Sequence, residues 1–144
     1  PTENSRAYME IYSKLAGYDN DDLDWIDSYL VRMENRLTRA IQKGVTIVAG
    51  SDNYTDIGST RGASSRDMFR AYFEAGMKPL DILQSATYTS ALSLNKENEI
   101  GVIKSDAKAD IIAVKGNITT DFVDTIEQVV FVMKDGKVYL SNLN

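Results

Sequence analysis

The chain contains no histidine and no cysteine. Without histidine it cannot supply an imidazole general base, a Ser-His-Asp triad or most zinc sites from its own residues. Without cysteine it forms no disulfide and offers no thiolate ligand, and this says little about the redox compartment. Any chemistry of this chain must therefore depend on carboxylates or on groups outside it.

Positive charge and long apolar runs are also scarce. The 16 Lys and Arg residues are outnumbered by 21 Asp and Glu residues, so the net charge is -5 and nucleic acid is not expected as a partner. No run of eighteen apolar residues is present, and we expect no membrane partner. The chain begins with Pro1 and not with methionine, which favours a missing N-terminus; the compartment stays open, with the cytoplasm favoured.

What is present is enough for a globular core, with 43% apolar residues among 144. Apolar residues at helical spacing predict helices over residues 4–16 and 22–43, and Gly17 and Gly44 stand where these helices end. In both helices the apolar face is interpreted as core packing.

An apolar run follows at residues 45–50 and stops at Ser51-Asp52-Asn53. Such a run next to helices is typical of a parallel strand that is buried on both faces. In α/β folds the chemistry lies at the carboxyl ends of such strands, so Asp52 is the acid most suited to a catalytic role. The alternative, an Asp that only caps the loop, stays open at this point.

The rest of the chain divides into helices and then strands. A long loop over 51–63 precedes a capping box at Ser64-Ser65-Arg66-Asp67, which predicts a helix to about Ala75, and Pro79 opens another predicted helix over 79–93. Strands are predicted at 100–103, 109–114 and 129–133, and Lys134-Asp135-Gly136-Lys137 indicates a hairpin into Val138-Tyr139-Leu140.

These elements predict a part at 1–97 with one strand and a β-strand tail at 98–144. One parallel strand cannot form a sheet, and a few short strands have open edges. We therefore expect a fragment, or a chain that completes its sheets with a partner, and a homo-oligomer is expected.

The order of these segments resembles the C-terminal third of the amidohydrolase superfamily, in its imidazolonepropionase-like and Xaa-Pro dipeptidase-like branch. The match runs over about residues 37–140, and the segments that carry it are Gly50-Ser51-Asp52, Ala75-Gly76-Met77-Lys78-Pro79, Ile100-Gly101-Val102-Ile103, Ala109-Asp110-Ile111-Ile112-Ala113-Val114 and Val132-Met133-Lys134-Asp135-Gly136. Each segment is weak alone, but five in this order are specific.

The resemblance implies an α/β fold: the last β/α part of a metal-dependent (β/α)8 barrel, followed by strands of a small β-sandwich. It implies that Asp52 binds a divalent metal, with zinc favoured, and accepts a proton from the metal-bound water that attacks a C–N bond. The family's histidines and bridging lysine would lie before Pro1, so this chain alone is expected to be inactive and to bind metal weakly or not at all.

The function implied is hydrolysis of a small-molecule substrate, either a cyclic amide or a dipeptide. The alternative is a non-catalytic assembly or binding module derived from the same fold. In the loop after Asp52, the side chains of Asn53, Tyr54 and Arg61 are candidates for substrate contact, and a solvated loop is an equally good interpretation. Asp110 is interpreted as a structural residue near a turn.

Overall fold

The structure is a computed structural model and describes residues 3–15, 17, 24–52 and 60–143. Helices dominate the first half, and a small antiparallel sheet follows in the second, so the α/β class is confirmed. In chain order the elements are α1 (Glu3–Leu15), α2 (Asp24–Gln42), α3 (Arg61–Glu74), α4 (Pro79–Ala86), α5 (Tyr88–Ser93), β1 (Ile111–Val114), α6 (Phe122–Glu127), β2 (Val129–Lys134) and β3 (Lys137–Ser141). In the part of the chain that is described, no helix combines the length and apolar character needed to cross a membrane.

The chain forms two compact units, the first made of Pro1–Thr46 with Gly50–Met77 and the second of Ile47–Ala49 with Lys78–Asn144. The predicted division at residue 97 is a different kind of boundary, between barrel and tail, and stays a prediction.

The first unit is built from α1, α2 and α3, with α1 against both other helices. Ile26 of α2 is fully buried, as is Ser13 of α1, whose hydroxyl donates to the Met9 carbonyl at 2.8 Å. This confirms the two predicted helices. Of their apolar faces, Ile26 is buried, whereas Tyr12, Leu15 and Met33 are 47%, 71% and 41% exposed, so the predicted core packing holds only in part. The buried hydroxyl of Ser13 is tolerated because a carbonyl within its own helix accepts its proton.

Gly44 and Gly76 end their helices by one hydrogen-bond pattern. At the end of α2, Gly44 has φ 68° and donates to the Ile41 carbonyl, while the next N–H donates to Ala40. Gly76 repeats the pattern after α3 with φ 90° and a bond to Phe73. This is the Schellman arrangement, which needs a left-handed residue and therefore favours glycine.

Residues 45–50 do not form the buried parallel strand that the sequence predicts. The segment carries no strand pairing in the described chain, and the side chains of Val45 and Val48 are 56% and 44% exposed. The prediction of a buried strand is wrong for this chain because a strand needs at least one paired neighbour, and the described residues offer none for this segment. The N–H of Ala49 instead donates to the Ser85 carbonyl at 3.1 Å.

Two helix boundaries also differ from the sequence prediction. The helix predicted from Ser64 begins at Arg61, because the Thr60 hydroxyl caps it by accepting from the Ala63 N–H at 3.3 Å. The predicted helix over 79–93 is broken into α4 and α5 at Thr87, whose φ and ψ are -121° and -95°. Near the break, the Ser85 carbonyl accepts from the Ser90 hydroxyl at 2.6 Å.

The predicted strand at residues 100–103 is a bend. Gly101 has φ 76°, and a Cβ added there would lie 2.6 Å from the Thr87 carbonyl oxygen. The side chain of Ile103 is 88% exposed. The strand prediction is wrong because the backbone turns at Gly101 to pass the α4–α5 break, and only glycine fits that approach.

The sheet has the order β1-β2-β3 with both pairs antiparallel, which confirms the strands predicted at 109–114 and 129–133. Asp135 and Gly136 both have positive φ, 48° and 76°, as a two-residue hairpin of the mirror-image type requires. The short helix α6 was not predicted. Its buried residues Phe122, Thr125 and Ile126 repeat at helical spacing, but six residues are too few for that spacing to stand out.

Candidate functional site

Asp52 lies where the chain leaves the extended segment 45–50, as the sequence predicts for the acid of a strand end. Its φ is 48°, in the left-handed region that non-glycine residues adopt seldom, with Asp and Asn among the tolerated exceptions. Its side chain is exposed. The carboxylate is therefore available to a ligand, and an unusual backbone conformation sets its direction.

The backbone just before Asp52 is held by side chains of α3. The hydroxyls of Ser51 and Ser65 lie 3.3 Å apart in hydrogen-bond contact. Two turns further along α3, the backbone N–H of Gly50 lies near the phenol of Tyr72. Burial raises the pKa of Tyr72, and this N–H offsets part of the rise, so the phenol is neutral at physiological pH.

The helix that carries these contacts is fixed at both ends. Its start is capped by Thr60, and its end closes through Gly76. The hydroxyl of Thr38 on α2 donates to the Ala75 carbonyl at 3.3 Å, which ties the end of α3 to the neighbouring helix. Contacts from α3 therefore connect the segment around Asp52 to a helix with defined ends.

The other predicted site residues are only partly placed. Arg61 is the first residue of α3 and is exposed, so it lies at the far end of the loop that follows Asp52. Asn53 and Tyr54 fall outside the described residues, and their predicted contact with substrate stays a prediction. It is likewise a prediction that one site is formed by Asp52, Asn53, Tyr54 and Arg61.

Two residues beside Asp52 were not singled out from the sequence. Ser65 was interpreted as part of a capping box and Tyr72 as part of an apolar helix face, yet both reach the segment before Asp52. The signal that could have found them is their separation of seven residues, which puts both on one face of a helix.

A metal at Asp52 would need ligands that the described residues do not provide. Within residues 3–15, 17, 24–52 and 60–143, no group of three or more Asp and Glu side chains is close enough to hold an ion. A single exposed carboxylate is too small a donor set for a divalent transition metal, which takes about four ligands in tetrahedral sites. The described residues do not by themselves fit a metal centre.

Asp110 has the structural role that the sequence predicts. Its carboxylate accepts the backbone N–H of Asp135 at 2.7 Å and pairs with the ammonium of Lys134. These two donors, the N–H first, hold the pKa of Asp110 below its usual value. The residue fastens the start of β1 to the β2–β3 hairpin, so it is not a candidate for catalysis.

The described residues thus form an α/β chain in which an exposed acid, Asp52, follows segment 45–50. The pattern of the Amidohydrolase family matches residues 7–139, nearly the whole chain. The chain belongs to the Amidohydrolase family, which confirms the resemblance seen in the sequence.

Individual relatives agree with this assignment. The chain is 29% identical over 112 residues to an imidazolonepropionase of Thermoanaerobacter pseudethanolicus, covering 78% of this chain and 26% of that protein. A solved Xaa-Pro dipeptidase with bound methionine in its active site has a TM-score of 0.72 and 29% identity, covering 95% of this chain and 34% of that one. A solved Aspergillus niger ochratoxinase has a TM-score of 0.65 and 26% identity, covering 95% of this chain and 31% of that one.

The chain thus spans between a quarter and a third of the relatives it matches.

Proposed function

We propose that this chain supplies the C-terminal part of a metal-dependent hydrolase that cleaves C–N bonds, and that Asp52 is its catalytic acid-base residue. The observation that carries the proposal is Asp52 itself, exposed at the end of segment 45–50 in a chain that belongs to the Amidohydrolase family. The last β/α part of a (β/α)8 barrel and strands of a β-sandwich are the architecture we propose for its parent.

Asp52 would do two things in the assembled site. Its carboxylate would be one ligand of a divalent metal, with zinc favoured, and the remaining ligands would come from outside this chain. When bound, such a metal lowers the pKa of a water molecule toward neutrality and supplies a nucleophile. The second role of Asp52 would be to accept a proton from the attacking water, which needs an accessible carboxylate.

The substrate class we propose is a small molecule with an amide-like C–N bond, either a cyclic amide or a dipeptide. Two relatives support this class, an imidazolonepropionase and a Xaa-Pro dipeptidase. Asn53, Tyr54 and Arg61 are proposed to border the substrate, since Asn53 and Tyr54 directly follow Asp52 in the sequence and Arg61 begins α3.

The test uses the complete gene product that contains this chain. Asp52→Asn keeps the size of the side chain and a left-handed backbone that Asn tolerates, and removes the charge. Loss of a general base lowers the turnover by about 10²- to 10⁴-fold. The matched control is Asp106→Asn, an exposed Asp in the second unit with φ 66°, which should keep full activity and metal content.

Three measurements decide the result: hydrolysis of Xaa-Pro dipeptides and of a cyclic amide, metal content by mass spectrometry, and the gene sequence upstream of Pro1. The proposal expects an upstream His-x-His strand and loss of activity in Asp52→Asn alone. Full activity in Asp52→Asn, or a gene that begins at Pro1, would refute it.

A non-catalytic assembly or binding module is the second candidate. It is favoured by large apolar side chains that the described residues leave exposed, among them Leu80, Ile112 and Tyr139 at 61%, 66% and 65%. A purified parent protein without hydrolytic activity or bound metal, but with a specific partner, would support this candidate over the first.

A further inference from the structure

Within the described residues, the segment Gly50-Ser51-Asp52 has no strand neighbour, so its restraints there are its contacts with other elements. Asp52 has φ 48°, in the left-handed region that non-glycine residues adopt seldom. The surroundings that the structure shows are two contacts with α3.

The first contact joins the residue directly before Asp52 to α3. The hydroxyl oxygens of Ser51 and Ser65 are 3.3 Å apart, and either can donate. Both side chains are at least partly accessible to water, so one such bond contributes only modestly to stability. Its effect on Asp52 is therefore geometric: it restrains the peptide that leads into Asp52.

The second contact joins the next residue back, Gly50, to the same face of α3. The backbone N–H of Gly50 lies near enough to the half-buried phenol of Tyr72 to offset part of the rise that burial causes in its pKa, which places the two groups side by side. Ser65 and Tyr72 are seven residues apart, close to two helical turns, so both project from one face and their origins are about 10 Å apart along the helix axis. Two consecutive residues are thus held at two separate points of one helix.

We propose that Ser65 and Tyr72 are positioning residues that orient the Asp52 carboxylate for catalysis by restraining Ser51 and Gly50. The proposal rests on the proposed function, since it assigns these residues to the site that Asp52 would form. Neither side chain needs to contact substrate. Each acts through the backbone before Asp52, and α3 transmits the restraint because its ends are fixed by Thr60 and Gly76.

The variants that test this remove single hydroxyls from the complete gene product. Tyr72→Phe keeps the ring and its packing, and Ser65→Ala removes only the bond to Ser51. Because misplacement of a reacting group by a fraction of an ångström reduces turnover, we expect kcat to fall about three- to tenfold in each variant, with KM unchanged. Ser65→Thr keeps the hydroxyl and should restore kcat.

Matched controls remove the same groups elsewhere. Tyr88→Phe and Ser28→Ala alter exposed side chains of α5 and α2 and should leave kcat at the wild-type value. A second readout does not depend on activity: hydrogen exchange at the Gly50 and Ser51 amides should be faster in Tyr72→Phe than in the wild type or in Tyr88→Phe. A structural role confined to packing would not produce that local change.

The outcomes separate this inference from the proposed function. If Asp52→Asn abolishes activity while Tyr72→Phe and Ser65→Ala match their controls in kcat and in amide exchange, the positioning role is overturned and the proposed function stands. If Asp52→Asn remains fully active, the proposed function fails, and the positioning role fails with it. If Tyr72→Phe does not fold, as judged by circular dichroism, the pair Ser65→Ala and Ser65→Thr decides.

Discussion

Gly101 lies so close to the α4–α5 break that a side chain there would meet the backbone at Thr87. An added Cβ would be 2.6 Å from the Thr87 carbonyl oxygen, and φ is 76°. Gly136 in the hairpin is a matched control, because its φ is also 76° and nothing lies within 4 Å of an added Cβ. A comparison of substitutions at the two glycines therefore separates the cost of a steric clash from the cost of the left-handed backbone.

We therefore predict that Gly101→Ala and Gly136→Ala differ in stability. Left-handed strain alone lowers the free energy of unfolding by about 1–2 kcal/mol in both variants. The clash with Thr87 adds about 1–3 kcal/mol in Gly101→Ala only. Urea unfolding followed by circular dichroism measures both, and equal midpoints would show that the backbone at Thr87 moves aside without cost.

Asp110 gives the sheet a pH dependence whose sign follows from its contacts. The Asp135 N–H and the Lys134 ammonium lower the pKa of folded Asp110. A lowered folded pKa stabilises the protein above the unfolded value, about 3.9, and that stabilisation is lost as the pH falls through the folded value.

The corresponding prediction concerns Asp110→Asn, which resembles the protonated acid. Its urea midpoint should be below that of the wild type at pH 7, and the difference should shrink as the pH falls below about 4. Asp106→Asn, in an exposed turn, serves as the control and should show a smaller difference at pH 7. A difference for Asp110→Asn that is the same at pH 7 and pH 3 would assign its effect to shape and not to charge.

At the scale of elements, the sequence predicted what local chemistry determines and missed what distant contacts determine. The ends of α2 and α3 followed from Gly44 and Gly76, because a left-handed stop is a property of the residue itself. The hairpin at Asp135-Gly136 followed for the same reason.

The errors at this scale have a tertiary cause. Residues 45–50 and 100–103 have strand-like composition, but a strand is defined by a neighbour, and composition does not supply one. The α4–α5 break at Thr87 lies against Gly101, which comes later in the chain, so the local sequence does not reveal it. For the site, the choice of Asp52 rests on its place after an apolar run and stays a prediction, whereas the contact of Ser65 with Ser51 depends on tertiary structure that no short motif encodes.

Segment 45–50 provides a prediction about this chain and its parent. Within the described residues, the structure shows no backbone acceptor for the N–H groups of Ile47 and Val48, whereas the strand residue Phe131 lies in the centre of the sheet. Hydrogen exchange at Ile47 and Val48 should therefore be fast in the isolated chain and slow at Phe131.

In a complete protein that supplies strand neighbours, exchange at Ile47 and Val48 should slow strongly while Phe131 changes little. Exchange that is equally fast in the isolated chain and in the parent protein would contradict a barrel-strand role for this segment.

At the scale of the whole molecule, the open edge of the sheet predicts association of the isolated chain. Strand β1 is at one edge of the order β1-β2-β3, and its residue Ile112 is 66% exposed. An apolar edge strand is a template for pairing with another chain, and natural proteins blunt such edges with lysine.

Sedimentation velocity should show an average mass that rises with concentration, and Ile112→Lys should lower that mass toward 16.0 kDa. Thr119→Lys adds the same charge at an exposed polar position and should leave association unchanged. If the wild type is monomeric at every concentration, the expected homo-oligomer does not form through this chain; if both lysine variants dissociate alike, net charge and not the β1 edge governs association.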